Sequence, residues 1–187
     1  RFNGMFAFAI WDARRRRLFA ARDRFGIKPF YFAQAPDGFV FASEVKALFA
    51  SGLVAPAMDA EGVAEYLTLQ FCLGDRTMFR GVRKLEPGTT LTLDADGTLC
   101  VRRYWSLDFT IRERPSEAAC REELVDLLRD AVRLQLRADV PVGSHLSGGL
   151  DSSLVASLAA AERGEAGLHT FSAGFRDGPA FDETRYA

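Results

Sequence analysis

The chain has 187 residues, of which 48% are hydrophobic and 26% are charged. Its 24 Lys and Arg residues nearly balance 25 Asp and Glu residues, so a net charge of -1 argues against nucleic acid or an anionic membrane as a partner. No apolar run is long enough for a membrane span and no signal peptide is recognisable, so we expect a soluble, cytoplasmic protein. Cys72, Cys100 and Cys120 are far apart, and we expect reduced, structural thiols.

Both ends of the chain suggest that it is part of a longer protein. The first residue is Arg1 rather than Met, and the last residues read FDETRYA, in which Asp182 has the position of a helix N-cap. We therefore expect an internal fragment, in which an active site is incomplete.

The first forty residues predict two β-hairpins. Apolar residues alternate in MFAFAI, and an extended pattern resumes at Leu18 after a charged turn that contains Arg14–Arg17. Four arginines at a hairpin tip could form a nucleic-acid patch, but a solvated turn suits the charge balance better. The second hairpin pairs residues 30–34 with residues 39–42 through the turn APDG.

Two short helices and a third hairpin follow. Ser43 is the predicted N-cap of the helix EVKALFASG, and Asp59 is the predicted N-cap of the helix AEGVAEYLTLQ. The strands GTTLTL and TLCVRRYW are joined by DADG, which is a strong hairpin signal. A charged connector, TIRERPSEAAC, then predicts a domain boundary near Pro115, with one domain at residues 1–114 and another at residues 115–187.

Beyond the connector the apolar period becomes helical. A broad apolar stripe predicts a helix from about residue 117 to residue 138. A strand at residues 142–146, a glycine loop, a helix at about residues 152–162 and the strand LHTFSAGF complete a βαβ pattern, which is typical of a parallel α/β sheet. The first strand-to-helix turn, SGGLDSS, lies where such sheets bind their ligands.

This loop has the features of a phosphate-binding loop. Gly148 and Gly149 let backbone N–H groups approach an anion closely, and a helix N-terminus behind them adds partial positive charge. The hydroxyl groups of Ser147, Ser152 and Ser153 are potential donors to phosphate oxygens. No Lys follows the glycines and no Rossmann fingerprint is present, so the common nucleotide-binding motifs are excluded.

Asp151 is the unusual residue of the loop. A carboxylate would repel a bare anion, so its presence indicates a Mg²⁺ ion that bridges the phosphates. The alternative is a generic polar turn in which these residues cap a helix and bind nothing.

Several motifs, taken together, resemble one enzyme family. SGGLDSS resembles the pyrophosphate loop of N-type ATP pyrophosphatases, which cleave ATP between its α and β phosphates. GMFAFAIWD, RDRFGIKPFYFA and FASEVKAL resemble the latter half of a class II glutamine amidotransferase domain, and LHTFSAGF and FDETRYA resemble segments that follow the loop. The whole chain is thus similar to glutamine-hydrolysing asparagine synthetases.

The resemblance implies a fold class and an activity. The implied fold is α+β, the latter half of an N-terminal-nucleophile amidotransferase sandwich, followed by α/β, the start of a parallel-sheet ATP pyrophosphatase domain. The implied enzyme is an ATP-dependent ligase with Mg²⁺ that makes asparagine from aspartate and glutamine through an acyl-adenylate. Its implied partners are small molecules, with no nucleic acid and no membrane, and a homodimer of the full-length protein stays open. The alternatives are a relative that acts on another carboxylate, and a catalytically silent nucleotide-binding or regulatory member.

The resemblance also assigns residues to the site. The implied ATP and pyrophosphate contacts are Leu146, Ser147, Gly148, Gly149, Leu150, Asp151, Ser152, Ser153 and Ala173, with Asp151 as the metal ligand. No glutaminase residue is expected in this chain, because the family's nucleophile is an N-terminal cysteine upstream, so the chain alone should be inactive.

Four other residues match the amidotransferase pattern and are predicted to be structural. Arg22, Asp23 and Gly26 form R-D-x-x-G, which we expect to hold a bidentate ion pair or a turn, and Glu44 has the same interpretation.

One stretch departs from the family pattern. Ser144 and His145 stand where the family usually has apolar residues of a buried strand. His145 could face the nucleotide or the interdomain cleft, although a histidine satisfied within the core is the favoured interpretation. This departure leaves the acceptor carboxylate open.

Overall fold

The structure, a computed structural model, describes residues 2–111, 115–174 and 186–187. The chain forms two compact units, residues 1–109 and residues 110–187. Each unit mixes helices with strands, so the prediction of a mixed α and β protein is confirmed. The boundary predicted near Pro115 adjoins residues 112–114, which lie outside the described residues, as does the predicted N-cap Asp182.

Seven strands of the first unit form two sheets. The strands are β1 (Ala7–Asp12), β2 (Arg17–Arg22), β3 (Tyr31–Ala35), β4 (Gly38–Ala42), β5 (Arg83–Lys84), β6 (Thr89–Leu93) and β7 (Leu99–Arg103). One sheet has the order β1-β2-β6-β7 and the other has the order β4-β3-β5. All neighbouring strands in the two sheets are antiparallel, and the three predicted hairpins are confirmed.

The β1–β2 turn shows why the arginine run is a solvated tip. The Asp12 carboxylate accepts hydrogen bonds from the N–H groups of Arg14 and Arg15, both at 3.0 Å, which closes the turn. Arg17 leaves the turn, enters β2 and pairs with Asp94 at 2.5 Å. The four arginines are exposed, and two of them, Arg15 and Arg17, pair with carboxylates of this same chain.

The core of the first unit lies between its two sheets. Its fully buried cluster comprises Ala20, Phe30, Phe32, Leu85 and Leu91. The small residues of β1, Ala7 and Ala9, pack against this cluster, whereas their larger neighbours lie on the other face of the sheet. There the ring of Phe8 lies 6.1 Å from that of Phe19 and 5.4 Å from that of Phe2. The alternation in MFAFAI therefore places small and large apolar residues on the two opposite faces of this sheet.

Two helices connect the strands of the first unit. The helices are α1 (Val45–Ala50) and α2 (Ala60–Leu69). Asp59 caps α2 as predicted, since its side chain accepts the N–H of Gly62 at 2.8 Å. The predicted cap of α1, Ser43, is wrong by one residue, because the chain is still extended at Glu44 and the helix begins at Val45. Glu44 is the N-cap and makes no side-chain capping bond.

The second unit contains the βαβ pattern. Its elements are α3 (Glu117–Gln135), β8 (Gly143–His145), α4 (Leu150–Arg163), a 3₁₀ turn (Gly164–Ala166) and β9 (His169–Phe171). Strands β8 and β9 pair in parallel, which confirms the predicted crossover. Ser116 caps α3 by accepting the N–H of Ala119 at 3.2 Å.

The cysteines are free thiols, as predicted. Cys72 is buried, Cys100 is half-buried and Cys120 is exposed. Within the described residues, no helix combines the length and the hydropathy that crossing a membrane requires.

Candidate functional site

The glycine loop lies at the carboxyl ends of the two parallel strands. Leu146 directly follows β8, and its N–H donates to the carbonyl oxygen of Phe171 at 2.9 Å. The Ser172 hydroxyl donates back to the carbonyl oxygen of Leu146 at 2.6 Å. These two bonds connect the strand ends, so Leu146 and Ala173 lie at one edge of the sheet, where α/β proteins bind ligands. Ser172 was missed by sequence reasoning, although it lies within the motif LHTFSAGF.

The loop needs glycine at one position for its backbone. Gly148 has φ of +87°, a conformation that residues with a side chain rarely adopt. Gly149 has φ of -74° and is the N-cap of α4, where it makes no side-chain capping bond. Helix α4 thus begins at Leu150, two residues before the predicted start. Because Gly149 is the N-cap, Asp151 lies in the first turn of the helix.

The start of α4 presents unpaired donors to the loop. The N–H groups of the first turn have no acceptor within the helix, and here no side chain caps them. Together with the helix dipole, these groups form a site that favours an anion. This arrangement has the donor geometry that the glycine loop predicts.

The serine side chains of the loop fall into two groups. The hydroxyl groups of Ser147 and Ser152 lie 2.9 Å apart and bond to loop backbone atoms. Among the described residues, the structure gives the Ser153 hydroxyl no hydrogen-bond partner, while its N–H bonds to the carbonyl oxygen of Gly149 at 3.0 Å. The three hydroxyls therefore do not offer equivalent donors.

Asp151 is exposed in the first turn of α4. It is not the N-cap, so the interpretation of this residue as a simple helix cap is wrong. The described residues contain no group of three or more His, Cys, Asp or Glu side chains that could hold a metal by themselves. One carboxylate beside a phosphate loop does fit Mg²⁺, because this ion is commonly held by one or two carboxylates together with substrate phosphates.

The apolar residues assigned to the nucleotide differ in exposure. Leu146 is half-buried at the end of β8, and Ala173 is exposed beyond β9. Leu150 is 84% exposed, so its described surroundings include no apolar pocket for its side chain. The structure brings the loop residues together with Leu146, while the contacts of Leu150 and Ala173 with a nucleotide stay predictions.

The two loop glycines should respond differently to alanine. Gly148→Ala places a Cβ on a backbone with positive φ, so we expect the free energy of unfolding to fall by about 1–2 kcal/mol. A Cβ on Gly149 would lie 3.5 Å from the Ser147 Oγ, which is an ordinary contact. Gly149→Ala should therefore lower the free energy of unfolding by only about 0.5 kcal/mol, because alanine is a poorer N-cap than glycine. Urea unfolding of the two variants makes the comparison. Equal losses would show that the loop has a different backbone.

His145 is exposed, so the favoured prediction of a core histidine is wrong for the described residues. It pairs with Phe171 across the sheet, and both side chains lie on the face away from α3 and α4. The opposite face carries Ser144, which lines an apolar cavity of about 300 Å³ together with residues of α3 and α4. Because neighbouring strand residues face opposite sides, Ser144 faces the helices and His145 does not.

A second organised loop lies in the first unit, at residues 23–28. The buried Asp23 carboxylate accepts the backbone N–H groups of Phe25, Ile27 and Lys28 at 3.0 to 3.1 Å. It also accepts the N–H of Phe6 at 3.3 Å. Burial by itself raises the pKa of Asp23, but the four backbone donors outweigh it, and the pKa lies below its usual value.

Arg22 binds the same loop through carbonyl oxygens. Its guanidinium donates to Lys28 at 2.8 Å, to Gly26 at 2.6 Å and to Leu85 at 2.5 Å. Desolvation is the main influence on its pKa, which is lowered. Among the alternatives for R-D-x-x-G, the turn is therefore confirmed and the ion pair is wrong, because each charge bonds to backbone atoms instead.

Gly26 and Glu44 complete the predicted structural residues. Gly26 has φ of +65°, and a Cβ there would come within 2.8 Å of Pro87 Cγ. Glu44 is exposed and pairs with Lys46 at 2.5 Å. Glu44 therefore lies at the surface before α1, where the contribution of an ion pair to stability is small.

Comparison with known proteins identifies two family models along the chain. Residues 1–105 match the model of a glutamine amidotransferase domain, and residues 123–187 match the model of asparagine synthase.

Three curated proteins are given as examples of similar proteins. Asparagine synthetase [glutamine-hydrolyzing] 3 of Bacillus subtilis is 39% identical over 94% of this chain and 29% of its own length.

The other two relatives come from an archaeon and a fungus. Putative asparagine synthetase [glutamine-hydrolyzing] 2 of Methanocaldococcus jannaschii is 37% identical over 99% of this chain and 36% of its length. Amidase chyE of Penicillium rubens is 38% identical over 84% of this chain and 23% of its length. The chain thus spans about a quarter to a third of the curated relatives it matches.

A solved structure of glutamine phosphoribosylpyrophosphate amidotransferase from B. subtilis, complexed with ADP and GMP, is 18% identical to the chain. The match covers 88% of this chain and 32% of the solved chain, with a TM-score of 0.30. That score is too low to support an argument.

Proposed function

The chain belongs to the family that joins a glutamine amidotransferase domain to an asparagine synthase domain, and from that premise we propose that it is part of an ATP-dependent amide ligase. The ligase takes nitrogen from glutamine and forms an amide on a carboxylate that ATP has activated. The observation that carries the proposal is the glycine loop between parallel strands, followed by a helix whose first turn is uncapped.

Two domains share this work. We assign residues 1–114 to the C-terminal part of a class II amidotransferase sandwich and residues 115–187 to the N-terminal part of an ATP pyrophosphatase domain. The two facing sheets support the first assignment. The parallel β8–α4–β9 unit supports the second, because such crossovers build the parallel sheets of α/β domains.

The loop residues perform the binding step in this proposal. The N–H groups at the start of α4 and the three serine hydroxyls of the loop bind the phosphates, and Leu146 and Ala173 contact the nucleotide. Asp151 holds Mg²⁺ together with the phosphates. The ion, when bound, offsets the negative charge that develops on the leaving pyrophosphate.

We propose aspartate as the carboxylate, which makes asparagine the product. The names of the bacterial and archaeal relatives support this choice. The fungal amidases and the departure at Ser144 and His145 favour a second candidate, a ligase that acts on another carboxylate.

The experiment measures pyrophosphate and glutamate release by the full-length protein with ATP, Mg²⁺ and glutamine. We expect pyrophosphate release to depend on one carboxylate among aspartate, glutamate and monocarboxylic acids, and its amide to accumulate. Aspartate dependence supports asparagine synthesis, and dependence on another acid supports the second candidate. If no carboxylate stimulates pyrophosphate release, the proposed ligase activity is refuted in favour of a silent nucleotide-binding member.

A further inference from the structure

The hydrogen-bond ladder between β8 and β9 stops one bond before its register requires. In a parallel pair, a residue donates its N–H to the residue before its partner, and its carbonyl accepts from the residue after that partner. His145 pairs with Phe171, so one step further along the register Leu146 lies opposite Ser172. Leu146 makes the first of these two bonds, because its N–H donates to the carbonyl oxygen of Phe171 at 2.9 Å. The second bond would come from the N–H of Ala173.

A side chain takes the place of that second bond. The Leu146 carbonyl oxygen accepts the Ser172 hydroxyl at 2.6 Å. Among the described residues, the N–H of Ala173 has no hydrogen-bond partner. Because Leu146 is half-buried, its carbonyl needs a donor, and the hydroxyl of Ser172 satisfies it instead of the next backbone amide.

This exchange of donors leaves a backbone N–H available at the carboxyl edge of the sheet. Ala173 is exposed, and its side chain is a methyl group that cannot form a hydrogen bond. Its backbone N–H is therefore the donor that this residue can offer to a ligand. The carboxyl ends of parallel strands are where α/β proteins bind their ligands, so a donor at this edge is well placed to be used.

We propose that Ser172 is a positioning residue that ends the β8–β9 ladder and thereby keeps the Ala173 N–H free to donate to an acceptor atom of the nucleotide. Ser172 does not contact the ligand. It acts by satisfying the Leu146 carbonyl, which would otherwise accept the Ala173 amide. This role rests on the proposed function, in which Leu146 and Ala173 contact the nucleotide, and it belongs to a residue outside the glycine loop.

The test compares Ser172→Ala and Ser172→Thr in the full-length protein. Ser157→Ala is the matched control, because Ser157 is an exposed serine on α4, away from the strand ends. The measurements are the hydrogen exchange rate of the Ala173 amide without ligand, the KM for Mg-ATP in pyrophosphate release, and the affinity for magnesium pyrophosphate by calorimetry.

Removing the hydroxyl should let the ladder extend by one bond, so Ser172→Ala should slow exchange of the Ala173 amide by about 10-fold. A substitution that only loosened the fold would speed this exchange instead. The KM for Mg-ATP should rise by about 5- to 10-fold, the scale of one hydrogen bond, while kcat stays within about 2-fold. Affinity for magnesium pyrophosphate, which has no nucleoside, should not change. Ser172→Thr keeps the hydroxyl and should restore the unmodified values, and Ser157→Ala should match them.

Two results would overturn the proposal. Unchanged or faster exchange of the Ala173 amide in Ser172→Ala would show that the hydroxyl does not end the ladder. Slower exchange with an unchanged KM would show that the Ala173 N–H does not bind the nucleotide. Failure of the proposed function has a different signature, since the unmodified protein would then release no pyrophosphate from ATP. The nucleotide contact of Ala173 would fall with it, while the exchange rates would still decide whether Ser172 ends the ladder.

Discussion

Replacing Asp151 with asparagine should lower the rate of pyrophosphate release in the full-length protein by at least about 100-fold, the scale observed when a preorganised charge-stabilising group is lost. The substitution keeps the size of the side chain but removes the charge on which Mg²⁺ binding depends. Glutamate release depends on the other domain and should stay within a few-fold. The measurement is a parallel assay of pyrophosphate and glutamate on the same preparation.

The structure separates this prediction from an effect on folding. Gly149, and not Asp151, caps α4, so the variant loses only the favourable interaction of a charge with the helix N-terminus, about 0.3–1 kcal/mol. Asp126→Asn is a matched control, because Asp126 is an exposed carboxylate on α3 that pairs with Arg129 at 3.5 Å. Near-normal pyrophosphate release by Asp151→Asn would refute the metal-ligand assignment.

Replacing Asp23 with asparagine should lower the free energy of unfolding by roughly 1.5–3 kcal/mol, the scale of hydrogen bonds to a charged group. The amide keeps one acceptor oxygen but turns an NH₂ group toward backbone donors that the carboxylate now satisfies. Asp12→Asn is the control, because the Asp12 carboxylate also accepts two backbone N–H groups but its side chain is 42% exposed. Urea unfolding and the exchange of the Ile27 and Lys28 amides give the measurement.

The same residue predicts a pH dependence with a definite sign. Because the folded-state pKa of Asp23 is lowered, its contribution is complete above the unfolded pKa of about 4 and is lost as pH falls through the folded-state pKa. The Asp23→Asn variant should therefore lose less stability than the unmodified protein between about pH 5 and pH 2. Two results would show that the Asp23 carboxylate is not important for the fold. One is equal acid sensitivity of the variant and the unmodified protein, and the other is a variant whose free energy of unfolding at neutral pH falls by less than about 1 kcal/mol.

Sequence reasoning identified the elements that depend on local patterns. The hairpins follow from alternating apolar residues and turn formers, and α2 begins at its predicted cap, Asp59. The apolar stripe predicted α3, although its cap at Ser116 was not predicted. Strand β5 was not predicted, because Arg83 and Lys84 join a sheet through pairing with β3 and have no periodicity of their own. A strand of two residues is defined by the strand with which it pairs, so its own sequence contains no pattern that predicts it.

The site shows the same distinction. SGGLDSS predicts a loop at a helix start, and the positive φ of Gly148 agrees with its glycine. The hydrogen bond between the Ser147 and Ser152 hydroxyls was not predicted, because it depends on how the loop folds back on itself. The bond from Ser172 to Leu146 was not predicted either, because it depends on the register of β9. The exposure of His145 likewise depends on which face of the sheet the helices cover.

The Asp23 and Arg22 contacts also determine how the loop at residues 23–28 tolerates change. Both side chains bond to its backbone amides and carbonyls. Between residues 24 and 28, Gly26 is the position that disfavours a side chain, because its φ is positive and a Cβ would lie 2.8 Å from Pro87 Cγ. Ile27 and Lys28 contribute their backbone N–H groups to the shape, and their side chains are exposed. The ring of Phe25 lies 5.1 Å from that of Trp105, and the Arg24 guanidinium lies 6.0 Å from the same ring. Substitutions at Ile27 and Lys28 could therefore change the surface chemistry of the loop without changing its backbone geometry, which Asp23 and Arg22 determine.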